Sequence, residues 1–135
     1  MASPFQPVEP AALGRPSGFS HGLLGPAGGR VLFVAGQTAP GITGASAPDT
    51  FVAQFDAALA RVLDVVVAAG GTAGHIGRMT VYVTDMAAYR AGRARLTPIW
   101  RARMGRHYPA MAVVAVTALV EPDAVVEIEA TAVLA

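Results

Sequence analysis

Glu127 and Glu129 interrupt the apolar run V-V-E-I-E-A-T-A-V (residues 125–133) at alternate positions, and carboxylates so placed have the means to move protons. In a strand, Val126, Ile128, Ala130, Ala132 and Leu134 fall on one face, and Val125, Glu127, Glu129, Thr131 and Val133 on the other. The first face is core material. The second shows its carboxylates either to solvent, as in a half-buried antiparallel strand, or to a cleft. His21 is another group that gives or takes a proton near neutral pH, and it shares a strand face with Phe19 two residues earlier. Arg106 and His107 precede Y-P-A-M, where they can bind an anion or simply complement the C-terminal end of a helix.

Composition excludes several chemistries. The 135 residues contain no cysteine, which removes thiolate nucleophiles, disulfides and Cys-based zinc sites. The three histidines, His21, His75 and His107, have no metal-ligand spacing, so no metal is expected. All ten basic residues are arginines, so no lysine Schiff base can form. Arg90, Arg93, Arg95, Arg101, Arg103 and Arg106 cluster at the spacing of a helix's polar face. With a net charge of +1 and few interleaved aromatics, they argue against a nucleic-acid surface. No run approaches the ~18 apolar residues of a membrane span, and M-A-S-P-F-Q-P-V-E-P has neither the basic start nor the apolar core of a signal peptide. A cytoplasmic protein without membrane contact is expected. Charged residues make up 14% of the chain and hydrophobic ones 53%, against about a quarter charged in an average domain. Apolar surface is therefore expected to be covered by further copies in a symmetric homo-oligomer.

The elements that must hold these groups follow from periodicity. Residues 1–17 carry four of the ten prolines and read as an irregular arm, and residues 18–135 as one domain. Residues 18–24 and 30–35 are β-prone runs separated by G-P-A-G-G, which suits a hairpin. A long loop ends at Asp49 or Thr50, either of which can cap a helix beginning near Thr50. Its apolar stripe is Phe51, Phe55, Leu59, Val62, Val66 and Ala69; Gln54, Asp56, Arg61 and Asp64 lie off it, and Gly70-Gly71 stops it. Residues 75–84 form a third strand. Asp85 then caps a second helix over 86–104, with a break expected at Pro98. Residues 110–117 and 125–134 supply two further strands joined by L-V-E-P-D. The order β-β-α-β-α-β-β predicts an α+β fold with both helices on one face of the sheet.

Six segments in this order carry a resemblance: G-F-S-H-G, V-L-F-V-A-G-Q, A-A-G-G, V-Y-V-T-D-M, Y-P-A and V-E-I-E-A-T-A. Together, over residues 16–134, the chain resembles the Rid family of reactive intermediate deaminases, also known as the YjgF or endoribonuclease L-PSP family. The resemblance implies a chorismate-mutase-like fold with a mixed sheet. It also implies a homotrimer with small-molecule clefts between subunits, and cofactor-free hydrolysis of enamines and imines to 2-oxo acids and ammonia. It places Glu127 in the cleft near the ligand's water, with Gly36 and Gln37 beside the ligand, and leaves Glu129 as a structural or ion-paired neighbour. Three positions depart from the family pattern. Met111 stands where the family's P-A-R-S arginine grips the substrate carboxylate, Phe19 replaces a tyrosine, and Ala35 replaces a small hydroxyl residue. Arg106 is the candidate substitute anchor. The resulting pocket is more apolar and suits a larger or less acidic ligand than a small 2-imino acid. Two other functions accompany this one: a non-catalytic trimeric module that binds a metabolite, and a ribonuclease or translation inhibitor, which the near-neutral charge disfavours.

Overall fold

The computed structural model describes residues 2–43 and 47–135; Met1 of the arm and residues 44–46, the end of the loop before the first helix, lie outside the described residues. The elements run β1 (Gln6–Val8), β2 (Gly22–Leu24), β3 (Arg30–Gln37), α1 (Ala47–Ala68), β4 (Ile76–Val83), α2 (Met86–Met104), β5 (Ala110–Ala115) and β6 (Val126–Leu134). β6 is buried at every second residue from Val126 to Leu134, as its alternation requires. It lies inside a four-stranded sheet of order β3-β6-β4-β5. β3 and β4 flank β6 antiparallel, whereas β5 joins β4 in parallel, so the sheet is mixed. The parallel pair needs a crossover, and α2 supplies it. The core sits between the helices and the face carrying Met79, Val81, Val126, Ile128 and Ala130.

The hairpin expected between residues 18–24 and 30–35 does not form. β2 pairs instead with β1 of the arm (Gln6↔Leu24, Val8↔Gly22), and β3 pairs with β6. A strand of nine alternating residues offers β3 far more burial than the three residues of β2, and the linker turns accordingly. Gly28 takes φ 72°, and Gly29 passes so close to β6 that a Cβ there would lie 2.5 Å from Val133 Cγ1. The arm is thus not wholly irregular. Phe5 also folds over Gly77 and stacks on His107, with ring centroids 6.3 Å apart.

α1 buries Phe51, Phe55, Leu59, Val62 and Val66, and it closes as expected. Gly70 adopts φ 90°, its N–H donates to Val67 O, and Gly71 N–H donates to Val66 O, each at 2.9 Å. This is the paired carbonyl capping of a Schellman end. The helix starts at Ala47, earlier than Thr50, which leaves Asp49 in the first turn, where a carboxylate favours the helix dipole. Gln54 is fully buried despite lying off the apolar stripe. Its amide donates to Ile42 O (2.7 Å) and Asp123 O (2.9 Å) and accepts from Val125 N (2.9 Å), so burial leaves none of its polar atoms unpaired. In α2, Asp85 Oδ1 accepts from Ala88 N at 3.1 Å, the expected cap. The break expected at Pro98 is absent: α2 continues through it. Pro98 and Ala94, whose carbonyl loses its partner, are both exposed, so water can satisfy that group.

Candidate functional site

The face of the sheet turned away from the helices collects the polar groups. β6 contributes Glu127, Glu129 and Thr131, β4 contributes Arg78, Thr80 and Tyr82, and β3 contributes Val31 and Phe33. Glu127 sits where the β3–β6 register slips: Val34 faces Ala130, yet Gln37 faces Ile128. Three steps along β3 match two along β6, a bulge of the kind that re-aims side chains beside binding sites. Gly36 lies in this bulge. A Cβ there would stand 2.7 Å from Glu127 Cδ and 2.8 Å from its Oε2, so only the bare backbone lets the carboxylate lie this close to β3. Gln37 is held by its neighbours: its Nε2 donates to Ala35 O at 3.1 Å, and its Oε1 accepts from Arg61 Nε at 3.3 Å. Ala35, Gly36, Gln37 and Glu127 therefore lie together at the bulge.

Glu129 has a partner that the sequence reading did not single out. Tyr82 Oη donates to Glu129 Oε2 at 2.9 Å, with Thr80 directly opposite Glu129 in the ladder. This bond raises the Tyr82 pKa above its usual 10.0, with desolvation and the charges of Glu129 and Glu127 adding to it, so Tyr82 is a standing donor at neutral pH. Alternation in R-M-T-V-Y-V is the signal that finds it, because Met79, Val81 and Val83 claim the core face and leave Tyr82 on the other. Beside this pair a depression of about 250 Å³ opens over β6, bordered by Phe33, Arg78, Glu129 and Thr131.

The remaining candidates lie elsewhere. His21 Nε2 donates to Gly14 O at 3.2 Å, and its ring meets Phe19 edge-on at 5.0 Å, so both belong to the N-terminal layer. His21 makes no hydrogen bond to Glu127. Arg106 is exposed just past α2, beyond the Gly105 turn, while His107 Nε2 donates to Ile76 O at 2.6 Å. Met111 stands in register with Met79, on the helix side of the sheet. In one chain it is thus on the opposite face from Glu127. It lines a second pocket of about 320 Å³ between α2 and the β4–β5 edge, with Gly18 at its rim. Among the described residues, no three His, Asp or Glu side chains gather as a metal site, and no helix is long and apolar enough to cross a membrane.

A family model described as Endoribonuclease L-PSP matches residues 10–134. No curated protein matches the chain. Among solved structures, YyfB of the conserved Rid protein family from Yersinia pestis, of unknown function, is 30% identical over 97% of this chain and 99% of its own, with a TM-score of 0.77. A Mycobacterium tuberculosis member of the YjgF/YER057c/UK114 family is 31% identical over 87% of both chains, with a TM-score of 0.64. Escherichia coli TdcF, solved with bound serine, is 28% identical over 89% of this chain and 97% of its own, with a TM-score of 0.64.

Proposed function

Because this chain belongs to the Endoribonuclease L-PSP family, whose members include the YjgF and Rid proteins, we propose that it is a cofactor-free hydrolase of imine or enamine intermediates, working as a cytoplasmic homotrimer. The observation that carries this reading is the seat of Glu127 against Gly36 on the helix-free face, where a half-buried carboxylate meets bare backbone. An imine carbon is already electrophilic, so the site has only to hold the ligand, present a water and relay protons. Glu127 takes a proton from the water as the water's oxygen bonds to the imine carbon, and returns that proton to the nitrogen, which now holds the former C=N electron pair. The carbinolamine's hydroxyl proton then passes by way of Glu127 to the nitrogen, the C–N bond breaks as the C=O bond forms, and ammonia leaves a 2-oxo product. Gln37, fixed by Ala35 and Arg61, orients the ligand edge next to Glu127. A relative solved with serine supports a small amino-acid-like ligand for the scaffold.

The test is 2-oxo acid release from freshly generated imines of several amino acids. Glu127→Gln keeps the shape and removes the charge, so turnover should fall by about 10²-fold or more. Unchanged turnover would remove Glu127 from the chemistry. The position of Met111 favours one other reading, a trimeric binding module without turnover: a thioether cannot grip a carboxylate, and Met111 does not share a face with Glu127. Saturable binding with no product would select it. RNA cleavage, to which the family's name refers, is poorly served here. The net charge is +1, and Arg95 and Arg103 are tied to Asp49 and Asp56.

A further inference from the structure

We propose that the pocket between α2 and the β4–β5 edge binds a carboxylate with a flat apolar body, and that Arg101 and Arg93 supply the anion grip that position 111 lacks. The inference rests on the hydrolase reading only in naming the class of substrate acid, an aromatic or bulky 2-imino acid, which Glu127 of a neighbouring copy must reach because this pocket and Glu127 of the same chain lie on opposite faces of the sheet; the binding itself stands on geometry. α2 carries its arginines in two sets. Arg95 and Arg103 turn to α1, where they pair with Asp49 and Asp56. Arg93 and Arg101, each two residues earlier, turn to the pocket, whose walls contain no carboxylate. Among the described residues neither makes an ion pair. Two arginines lining a cavity whose walls hold no carboxylate can complement one from a ligand, because a carboxylate takes guanidinium N–H donors in pairs.

The rest of the pocket selects the body. Trp100 and Tyr108 stack parallel, 6.3 Å between centroids and 5° between planes, and Tyr89, Val113 and Met111 extend the apolar wall. Trp100 Nε1 donates to His107 O at 3.2 Å, which satisfies its one polar atom and leaves its faces for packing. Met111 fits this role, since a thioether packs well against a ring edge. About 320 Å³ is at the lower end for a small-molecule site and admits one ring with a short acid chain. Apolar walls also strengthen the attraction between guanidinium and carboxylate relative to open water.

Trp100 is the only tryptophan, so its fluorescence reports on this pocket alone. Wild-type protein should be titrated with 3-phenylpropionate and with its uncharged amide, by fluorescence and by calorimetry. The acid should bind saturably and at least about tenfold more tightly than the amide. Arg101→Gln and Arg93→Gln should each weaken the acid several-fold and leave the amide alone, whereas Arg90→Gln should change neither. Equal affinity for acid and amide, no saturable binding of the acid up to about 10 mM, or indifference to both arginine changes overturns the proposal. The comparison of acid with amide uses the wild-type chain, so it decides even where a variant folds poorly. Product release without acid binding would sink this pocket and spare the hydrolase reading; acid binding without product release would do the reverse.

Discussion

Glu127 and Gly36 meet because one strand bulges and the other does not, and their contact makes the strongest residue-scale prediction. A methyl group at Gly36 would lie 2.7 Å from Glu127 Cδ, so Gly36→Ala must push the carboxylate off its seat. The backbone there is not left-handed, so alanine brings no conformational strain of its own. Turnover should fall at least about tenfold while the thermal midpoint moves by no more than a few degrees; equal turnover would show that the seat is incidental. Alternation alone reveals the face of Glu127, and resemblance supplies Gly36 and Gln37 as its companions. The bond from Tyr82 to Glu129 joins residues 47 apart, and that from Arg61 to Gln37 joins residues 24 apart. Such pairs depend on register, which a single chain's pattern does not display. Met111 shows the opposite limit: its identity departs from the pattern that the resemblance implies, but only the packing of α2 on the β4–β5 edge reveals the arginines that share its pocket.

The elements divide in the same way between local and tertiary causes. The stripe of α1, its Gly70-Gly71 end and the Asp85 cap are written in consecutive residues and appear as read. β1 and the pairing of β2 are not, because three-residue strands exist only through their partners. Gln54 is the clearest case of override. Helical phase assigns it to solvent, yet its amide joins α1 to the loop at Ile42 and to the β5–β6 connection at Asp123 and Val125. Gln54→Leu keeps the volume but strands three backbone groups, which should cost about 3 kcal/mol. A lower urea midpoint with an unchanged slope is the expected signature, and a shift below about 1 kcal/mol would mean that water replaces the amide. The ion pairs of α2 with α1 are half-exposed and contribute little by comparison.

At the scale of the whole molecule, the apolar composition acquires an address. Phe33 is 79% exposed and Val31 54% on the helix-free face, beside the half-buried Glu127 and Glu129. Large exposed apolar side chains on a bare sheet face call for a partner. Light scattering should therefore give the mass of three 13.8 kDa chains, and Phe33→Glu should release monomers and abolish turnover. A monomeric wild type would remove the inter-subunit clefts altogether. The sheet order carries a different consequence, one about time. β6 follows β3, β4 and β5 in the chain and yet lies between β3 and β4, so a nascent chain lacking residues 126–134 has nothing to join β3 to the β4–β5 pair. Until that segment emerges, β3 and β4 each keep one edge without a partner, and the arrival of the strand bearing both glutamates is what closes the sheet. The step that builds the site and the step that completes the core are one event.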